Sequence, residues 1–179
     1  EILASGYDEI VHIPMSSGLS NSCESAISLA SEYEGKIEVV DNHRISVTLR
    51  ESVLEAKELA DSGRPAREIK RELEERAYEA SIYIAVDTLE FLKKGGRVTP
   101  AAAALGAVLN IKPVLTIQGE RLDAFAKVRG MKKCKHKMVE ALKNDLATRF
   151  KDVDMSRVVI GAAGAGLGAD EEKEWTDTL

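Results

Sequence analysis

The feature that most constrains the fold is an alternation, in the first half of the chain, between short β-branched runs and longer segments of helical period. The runs Ile10–Ile13, Ile37–Val40 and Ile82–Val86 have the length and composition of buried strands. Between them, apolar residues recur at helical spacing and predict one helix over Ser20–Tyr33 and two more separated at Gly63–Pro65. The last of these helices has one predicted apolar stripe, formed by Ile69, Leu73, Ala77 and Ala80. Strands that alternate with helices in this way are typical of an α/β protein with a parallel sheet.

After Val86 the pattern changes, and the sequence predicts a second domain of mixed α+β type. The predicted helices are Leu89–Lys94, Ala101–Leu109 and Met131–Phe150, and the last of them has an apolar stripe formed by Met131, Cys134, Met138, Leu142 and Leu146. A predicted hairpin joins Val114–Ile117 to Leu122–Val128 around Gln118-Gly119-Glu120, and Val158–Ile160 begins a last strand. We therefore predict two domains, with the parallel sheet in residues 1–86 and the α+β part in residues 87–179.

Composition and charge exclude several classes of protein. The formal net charge of -5 over 179 residues argues against non-specific binding of nucleic acid, which needs a surplus of Lys and Arg. The longest uncharged apolar run, Ala101–Leu109, has 9 residues and is too short for insertion across a membrane. Cys23 and Cys134 predict free buried thiols in a reducing cytoplasm, so a cytoplasmic location is expected. No pair among the 3 histidines has metal-ligand spacing, and no metal is predicted.

The segment from Ile13 to Ala26 gives the strongest indication of a ligand site. A predicted strand ends here, Ser16, Ser17 and Gly18 form a turn, and a helix follows. The first N–H groups of a helix have no partner within it and carry positive partial charge, while serine hydroxyls add donors and glycine lets a ligand approach the backbone. This order predicts a site for an anion such as a carboxylate or a phosphate. The alternative is that the serines only cap the helix and close the turn.

An enzymatic function finds less support in the sequence. A nucleophile elbow requires a glycine two residues before the serine, and Pro14 and Met15 occupy those positions. His43 or His136 would act as a base only if the fold placed it beside a serine. The glycine-rich Gly161–Gly168 matches neither the dinucleotide fingerprint nor the phosphate loop of nucleotide-binding proteins. A serine hydrolase, an enzyme related to phosphotransferases and a non-catalytic scaffold are kept as alternatives.

Three stretches, in this order and at this spacing, resemble the DegV family. They are IPMSSGLS (Ile13–Ser20), LEFLKKGGRVTPAAAALGAVLNIKPVL (Leu89–Leu115) and AFAKVRGMKKC (Ala124–Cys134). The middle stretch is the most diagnostic, because a Lys-Gly-Gly-Arg turn followed by an alanine- and leucine-rich helix and Asn-Ile-Lys-Pro rarely arises by chance. The resemblance implies a two-domain α/β fold in which a fatty acid lies in the cleft between the domains.

The resemblance also implies a function without catalysis. The chain would bind a long-chain fatty acid by its carboxylate and present it to the catalytic subunit of a fatty acid kinase, which phosphorylates the acid. The fatty acid is then a ligand, and no cofactor is expected. Ser16 or Ser17, with Gly18, would bind the carboxylate, and Ser17 is favoured because it lies nearer the turn. Leu105 and Leu109 would line the acyl chain.

The sequence departs from the family's pattern at both ends. Members of the family are longer, with an N-terminal Thr-Ser-Gln-Pro motif that supplies a second hydroxyl and a C-terminal His-x-Gly-Pro-Gly segment that closes the head-group site. Neither motif occurs in this sequence, and Asn21-Ser22-Cys23 replaces the usual Gly-Thr-Tyr after the loop serine. The sequence therefore predicts a DegV-like fold that is incomplete at both ends.

Overall fold

The computed structural model describes residues 1–105, 111–117 and 121–178, and the chain divides into two compact units, residues 1–80 and 81–179. The strands are β1 (Ile10–His12), β2 (Ile37–Val39), β3 (Tyr83–Ala85), β4 (Ile111–Ile117) and β5 (Leu122–Arg129). The helices are α1 (Ser22–Ala30), α2 (Ser46–Asp61), α3 (Ala66–Glu75), α4 (Glu90–Lys94), α5 (Pro100–Ala103), α6 (Met131–Ala147) and α7 (Ala169–Thr178), with short 3-10 turns at Leu3–Ser5, Ser31–Tyr33 and Met155–Arg157. This mixed α/β architecture confirms the predicted fold class.

In the first unit, β1 and β2 form a parallel pair, as the sequence predicts. Ile10 lies opposite Ile37, and His12 lies opposite Val39. The helix expected between the two strands starts two residues later than predicted, at Ser22, and ends in the 3-10 turn at Ser31–Tyr33. Because the strands are parallel, their carboxyl ends lie at the same edge of the sheet.

The core of the first unit forms where α2 and α3 pack against this sheet. Ile69 and Leu73 of α3 are only 2% and 1% exposed, and they contact Val40 and Ala56 in one apolar cluster. The predicted apolar stripe of α3 is confirmed at these two positions, where it removes side chains from water. Glu9 secures the start of α3, since its Oε2 accepts the backbone N–H of Ala66 at 2.9 Å.

The second unit contains an antiparallel sheet in the order β3-β4-β5. Strand β3 lies within the run Ile82–Val86, which the sequence predicts to belong to the first domain. The structure instead pairs Tyr83 with Thr116 and Ala85 with Val114, and the division falls between Ala80 and Ser81. The run is therefore a strand as predicted, but its partner is an antiparallel strand of the second unit.

Helix α6 packs one face on this sheet. Cys134 and Met138, both on the predicted apolar stripe, are buried against Val114. Asp145 is also buried, and it accepts the Tyr83 hydroxyl at 2.8 Å. Burial, together with the hydrogen bond to Asp145, raises the pKa of Tyr83 to about 12.

Two predicted elements of the second half need correction. Val158–Ile160 is not a strand: it follows the 3-10 turn Met155–Arg157, and Val159 and Ile160 are exposed. β-branched residues favour a strand only where a neighbouring strand pairs with their backbone and their side chains pack against a buried face. The helix expected over Ala101–Leu109 is observed only as α5, and residues 104–105 lie in a turn. The predicted turn Gln118-Gly119-Glu120 lies outside the described residues.

Candidate functional site

The candidate site lies on two loops that follow the carboxyl ends of β1 and β2. The first loop, residues 13–21, joins β1 to α1, and the second, residues 40–45, joins β2 to α2. Hydrogen bonds from backbone N–H groups connect them: the Ser16 N–H donates to the Arg44 carbonyl at 3.2 Å, and the Ser17 N–H donates to Asp41 Oδ1 at 3.3 Å. Ligands of open α/β sheets bind at this edge, beyond the carboxyl ends of parallel strands.

Ser16 has the most unusual environment in the first loop. Its backbone carbonyl closes the turn by accepting the N–H groups of Leu19 at 3.0 Å and Ser20 at 3.1 Å. Its side chain is 1% exposed, and among the described residues its Oγ has no hydrogen-bond partner. Because a buried hydroxyl without a partner costs about 1–3 kcal/mol, such a group is a strong indication of a ligand contact.

Ser17 and Gly18 complete the predicted anion loop, and both are half-buried. Ser17 is engaged with Asp41, which receives its N–H and also a side-chain hydrogen bond. Within the described ranges, the hydroxyl of Ser16, rather than that of Ser17, is therefore the one without a protein partner. Helix α1 starts just beyond this loop, and the Ser22 N–H at its first residue donates to Ser20 Oγ at 3.2 Å.

The second loop contributes two further polar atoms without partners in the described residues, Asn42 Oδ1 and His43 Nδ1. Asn42 is 1% exposed, and its Nδ2 donates to Ser52 Oγ at 2.8 Å. The Ser52 hydroxyl uses its one proton to donate to the Thr48 carbonyl at 3.1 Å, so towards Asn42 it acts only as an acceptor. Asn42 Oδ1 therefore remains able to accept a hydrogen bond. Sequence analysis did not single out Asn42, although the signal existed, because polar residues directly follow the second parallel strand.

Arg44 holds the second loop in place. Its guanidinium donates to the Arg76 carbonyl at 2.6 Å, the Ala77 carbonyl at 3.3 Å and Ser52 Oγ at 3.2 Å. Burial lowers the pKa of Arg44, but an arginine retains its charge in proteins. The loop that carries Asn42 is therefore anchored to both α2 and the segment after α3.

In the second loop the carboxylate of Asp41 lies beside the imidazole of His43. Asp41 Oδ1 lies 3.6 Å from His43 Nδ1 and also accepts the His43 backbone N–H at 3.4 Å. The imidazole ring stacks on Tyr78, with ring centroids 5.7 Å apart. Burial would by itself raise the pKa of Asp41, but the hydrogen bonds from Ser17 and the proximity of His43 outweigh it and lower that pKa below its ordinary value.

The geometry weakens the enzymatic alternatives. A hydrolytic serine needs a base within hydrogen-bond reach. In the described part of the chain, neither Ser16 nor Ser17 has a histidine as hydrogen-bond partner. Gly161–Gly168 is largely exposed and follows no strand, so it lacks the strand–loop–helix context that a phosphate loop requires. Residues 1–105, 111–117 and 121–178 contain no cluster of metal-ligating side chains and no helix that is long and apolar enough to cross a membrane.

The two residues predicted to line an acyl chain belong to the second unit. Leu105 is half-buried in the turn after α5, where its N–H donates to the Ala102 carbonyl at 3.1 Å. Thr99 caps this short helix by accepting the Ala102 N–H at 3.2 Å. Leu109 lies outside the described residues.

Comparison with known proteins identifies the family. A family model described as "Uncharacterised protein, DegV family" matches residues 1–175. A DegV domain-containing protein of Deinococcus radiodurans is 41% identical over 126 residues, which cover 70% of this chain and 45% of that protein.

Solved structures give the same result. A DegV family protein from Thermus thermophilus, described as binding fatty acid, is 36% identical with a TM-score of 0.70 over 80% of this chain and 51% of that one. DegV from Bacillus subtilis, described as a fatty acid binding protein, is 32% identical with a TM-score of 0.66 over 82% and 53%. The chain thus spans about half the length of these relatives. The predicted resemblance is confirmed, and the chain belongs to the DegV family.

Proposed function

We propose that the chain binds one long-chain fatty acid and that the carboxylate is held on the loop formed by Ser16, Ser17 and Gly18. The observation that carries this proposal is the buried Ser16 hydroxyl, which has no protein partner among the described residues. A carboxylate oxygen accepts hydrogen bonds from hydroxyl and backbone N–H groups, and a bond to a charged acceptor is stronger than one to a neutral acceptor. Gly18 has no side chain to obstruct the approach of the head group.

Two related proteins support the choice of ligand. The Thermus thermophilus and Bacillus subtilis proteins are both described as fatty acid binding, and both are more than 30% identical to this chain. A fatty acid also suits the local chemistry, since it combines one anionic group with an apolar chain.

We propose further that the chain is an accessory protein and not itself an enzyme. In this view a separate fatty acid kinase subunit, in the same cytoplasmic compartment, phosphorylates the bound carboxylate. The support is chemical: the Ser16 hydroxyl has no base beside it in the described residues, so it is suited to donating a hydrogen bond rather than to attacking a substrate. The proposed function involves neither binding to nucleic acid nor insertion into a membrane.

Native mass spectrometry of the freshly purified chain tests the function. We expect the spectrum to contain a species heavier than the apoprotein by the mass of one acyl acid, and the acid to be released on denaturation. With ATP, acyl phosphate should form only after a fatty acid kinase subunit is added. Purely apo protein that also fails to bind added fatty acid would contradict the binding proposal. Acyl phosphate formed by the chain alone would contradict the assignment as an accessory protein.

We also propose that Leu105 contacts the acyl chain. Replacing it with Trp should then lower the longest acyl length that binds, because the indole occupies volume that the distal methylenes need. The measurement is the dissociation constant across a series of saturated acids, with the midpoint of thermal unfolding as control. If Leu105 only fills the core, the substitution will lower the unfolding midpoint and leave the length preference unchanged. Phe91→Trp, at a side chain that is 74% exposed, is the matched control.

A further inference from the structure

The head-group site contains a fixed negative charge that a carboxylate ligand has to tolerate. Asp41 Oδ1 accepts the N–H of Ser17 in the first loop, at 3.3 Å. Hydrogen bonds from Ser17 and His43 stabilise its ionised form against the effect of burial, so Asp41 is charged at neutral pH. A fatty acid carboxylate on the same loop would be a second anion near the first, and two carboxylates that share a site repel each other.

The cationic side chains near Asp41, Lys70 and Arg44, form their hydrogen bonds and ion pairs with other groups. Lys70 is paired with Glu74 at 2.7 Å and also donates to the Val39 carbonyl, while Glu74 accepts the Asp41 N–H at 3.1 Å. The Arg44 guanidinium is directed at the carbonyls of Arg76 and Ala77, and Glu55 and Glu79 lie near it.

Two neutral groups complete the surroundings of the pair. The thiol of Cys23 in α1 is buried, and burial raises its pKa, so the thiol is protonated at neutral pH. The negative charge of Asp41 raises this pKa further. The Tyr78 ring stacks on His43. Beside Asp41 in the described residues this leaves the imidazole of His43, and histidine is the type of side chain that can change charge between about pH 5 and 8.

The remaining polar atoms fit the presence of an added proton. His43 Nδ1 is buried, lies 3.6 Å from Asp41 Oδ1 and, in the part of the chain that the structure describes, has no hydrogen-bond partner. A neutral imidazole donates from one ring nitrogen only, whereas in the imidazolium both nitrogens donate, so that one can bond to Asp41 while the other bonds to the head group. Asn42 Oδ1, buried in the same loop, is an acceptor and gives a carboxylate no hydrogen bond. A proton on His43 would therefore add one donor to those that the two loops already offer an ionised head group.

We propose that head-group binding is coupled to protonation: the chain takes up a proton on His43 when it binds the fatty acid carboxylate. This inference rests on the proposed function. The imidazolium lies between two anions, Asp41 and the ligand, and stabilises both. By linkage, a ligand that increases the proton affinity of His43 binds more tightly at low pH, and its affinity falls as pH rises. His43 adopts a φ of 57°, a conformation that His, Asn and Asp tolerate better than other residues, which makes His43→Asn the natural substitution.

Titration calorimetry of the whole chain with decanoate, an acid that is ionised in solution throughout the pH range used, tests the coupling. Binding is measured near neutral pH in two buffers that differ in ionisation enthalpy, because the buffer dependence of the heat reports protons taken up. We expect an uptake of more than about half a proton, and a dissociation constant that is roughly tenfold lower at about pH 6 than at about pH 8. Decanol, which has no carboxylate, should bind without uptake.

Two variants locate the proton. His43→Asn should abolish the uptake and flatten the pH dependence, and Asp41→Asn should give the tighter binding already at the higher pH because the repulsion is gone. His136→Gln, at an exposed histidine of α6, is the control and should behave as the wild type. Decanoate binding without proton uptake would overturn the coupling and leave the proposed function intact. Uptake that persists in His43→Asn would overturn the role of His43, and absence of any fatty acid binding would instead refute the proposed function.

Discussion

Replacing Ser16 and Ser17 together with alanine is expected to weaken fatty acid binding by about 1–3 kcal/mol, or roughly 5- to 150-fold in the dissociation constant. The reason is the loss of hydroxyl donors to a charged acceptor. Ser16 should account for most of the effect, because its hydroxyl has no protein partner in the described residues and is free for the ligand. Ser17 is engaged with Asp41. Direct titration with a fluorescent or radiolabelled fatty acid measures the change.

The single variants and the stability of the fold make this prediction specific. Ser16→Ala should leave the free energy of unfolding unchanged or increase it, because the substitution removes a buried hydroxyl that forms no hydrogen bond. Alanine at Ser25 and Ser28, two exposed serines of α1, provides the control and should leave affinity unaltered. Wild-type affinity in the Ser16 and Ser17 double variant would refute the assignment of the head-group site.

Arg44→Ala is expected to have the largest effect on stability. The substitution removes the hydrogen bonds to the Arg76 and Ala77 carbonyls and to Ser52 Oγ, and leaves those acceptors at least partly shielded from water. We expect the free energy of unfolding of the first unit, residues 1–80, to fall by about 2–3 kcal/mol, which corresponds to roughly 10–20 °C in its unfolding midpoint. Thermal unfolding followed by circular dichroism measures this shift.

Arg50→Ala is the matched control for this change. Arg50 lies in α2, which follows the second loop, but its side chain is 69% exposed. In the described residues it is paired with the neighbouring Glu51. Its substitution should alter the free energy of unfolding by no more than about 0.5 kcal/mol. If Arg44→Ala is as mild as Arg50→Ala, the guanidinium does not anchor the loop. If the anchor acts as described, fatty acid affinity should also fall in Arg44→Ala, since Asp41, Asn42 and His43 lose their support.

Much of the first unit could be predicted from local sequence. The strands that begin at Ile10 and Ile37 are visible as β-branched runs, and the buried face of α3 is visible as the spacing of Ile69 and Leu73. Each of these patterns lies within one segment of the chain. The turn at Ser16–Gly18 was predicted for the same reason, since the order strand, serine, glycine and helix is local. The family resemblance, distributed over three stretches, then supplied the ligand class.

The partners of these segments depended on tertiary structure. Ile82–Val86 has the composition of a buried strand, but only the antiparallel ladder with Thr116 and Val114 assigns it to the second unit. Val158–Ile160 has similar residues and forms no strand in the structure, because strand formation depends on a neighbour that the segment itself does not encode.

The candidate site shows the same division between local and long-range information. Local sequence is sufficient to predict that Ser16, Ser17 and Gly18 form a polar turn after a strand. Only the folded chain shows that Ser17 is hydrogen-bonded to Asp41 and that the Ser16 hydroxyl has no partner in the described residues. It also added Asn42 and His43, which are distant in sequence and adjacent only because parallel pairing of β1 and β2 aligns their carboxyl ends. Hydrogen bonds and charges act over a few ångströms in space, so the chemistry of a site depends on which loops the sheet brings together.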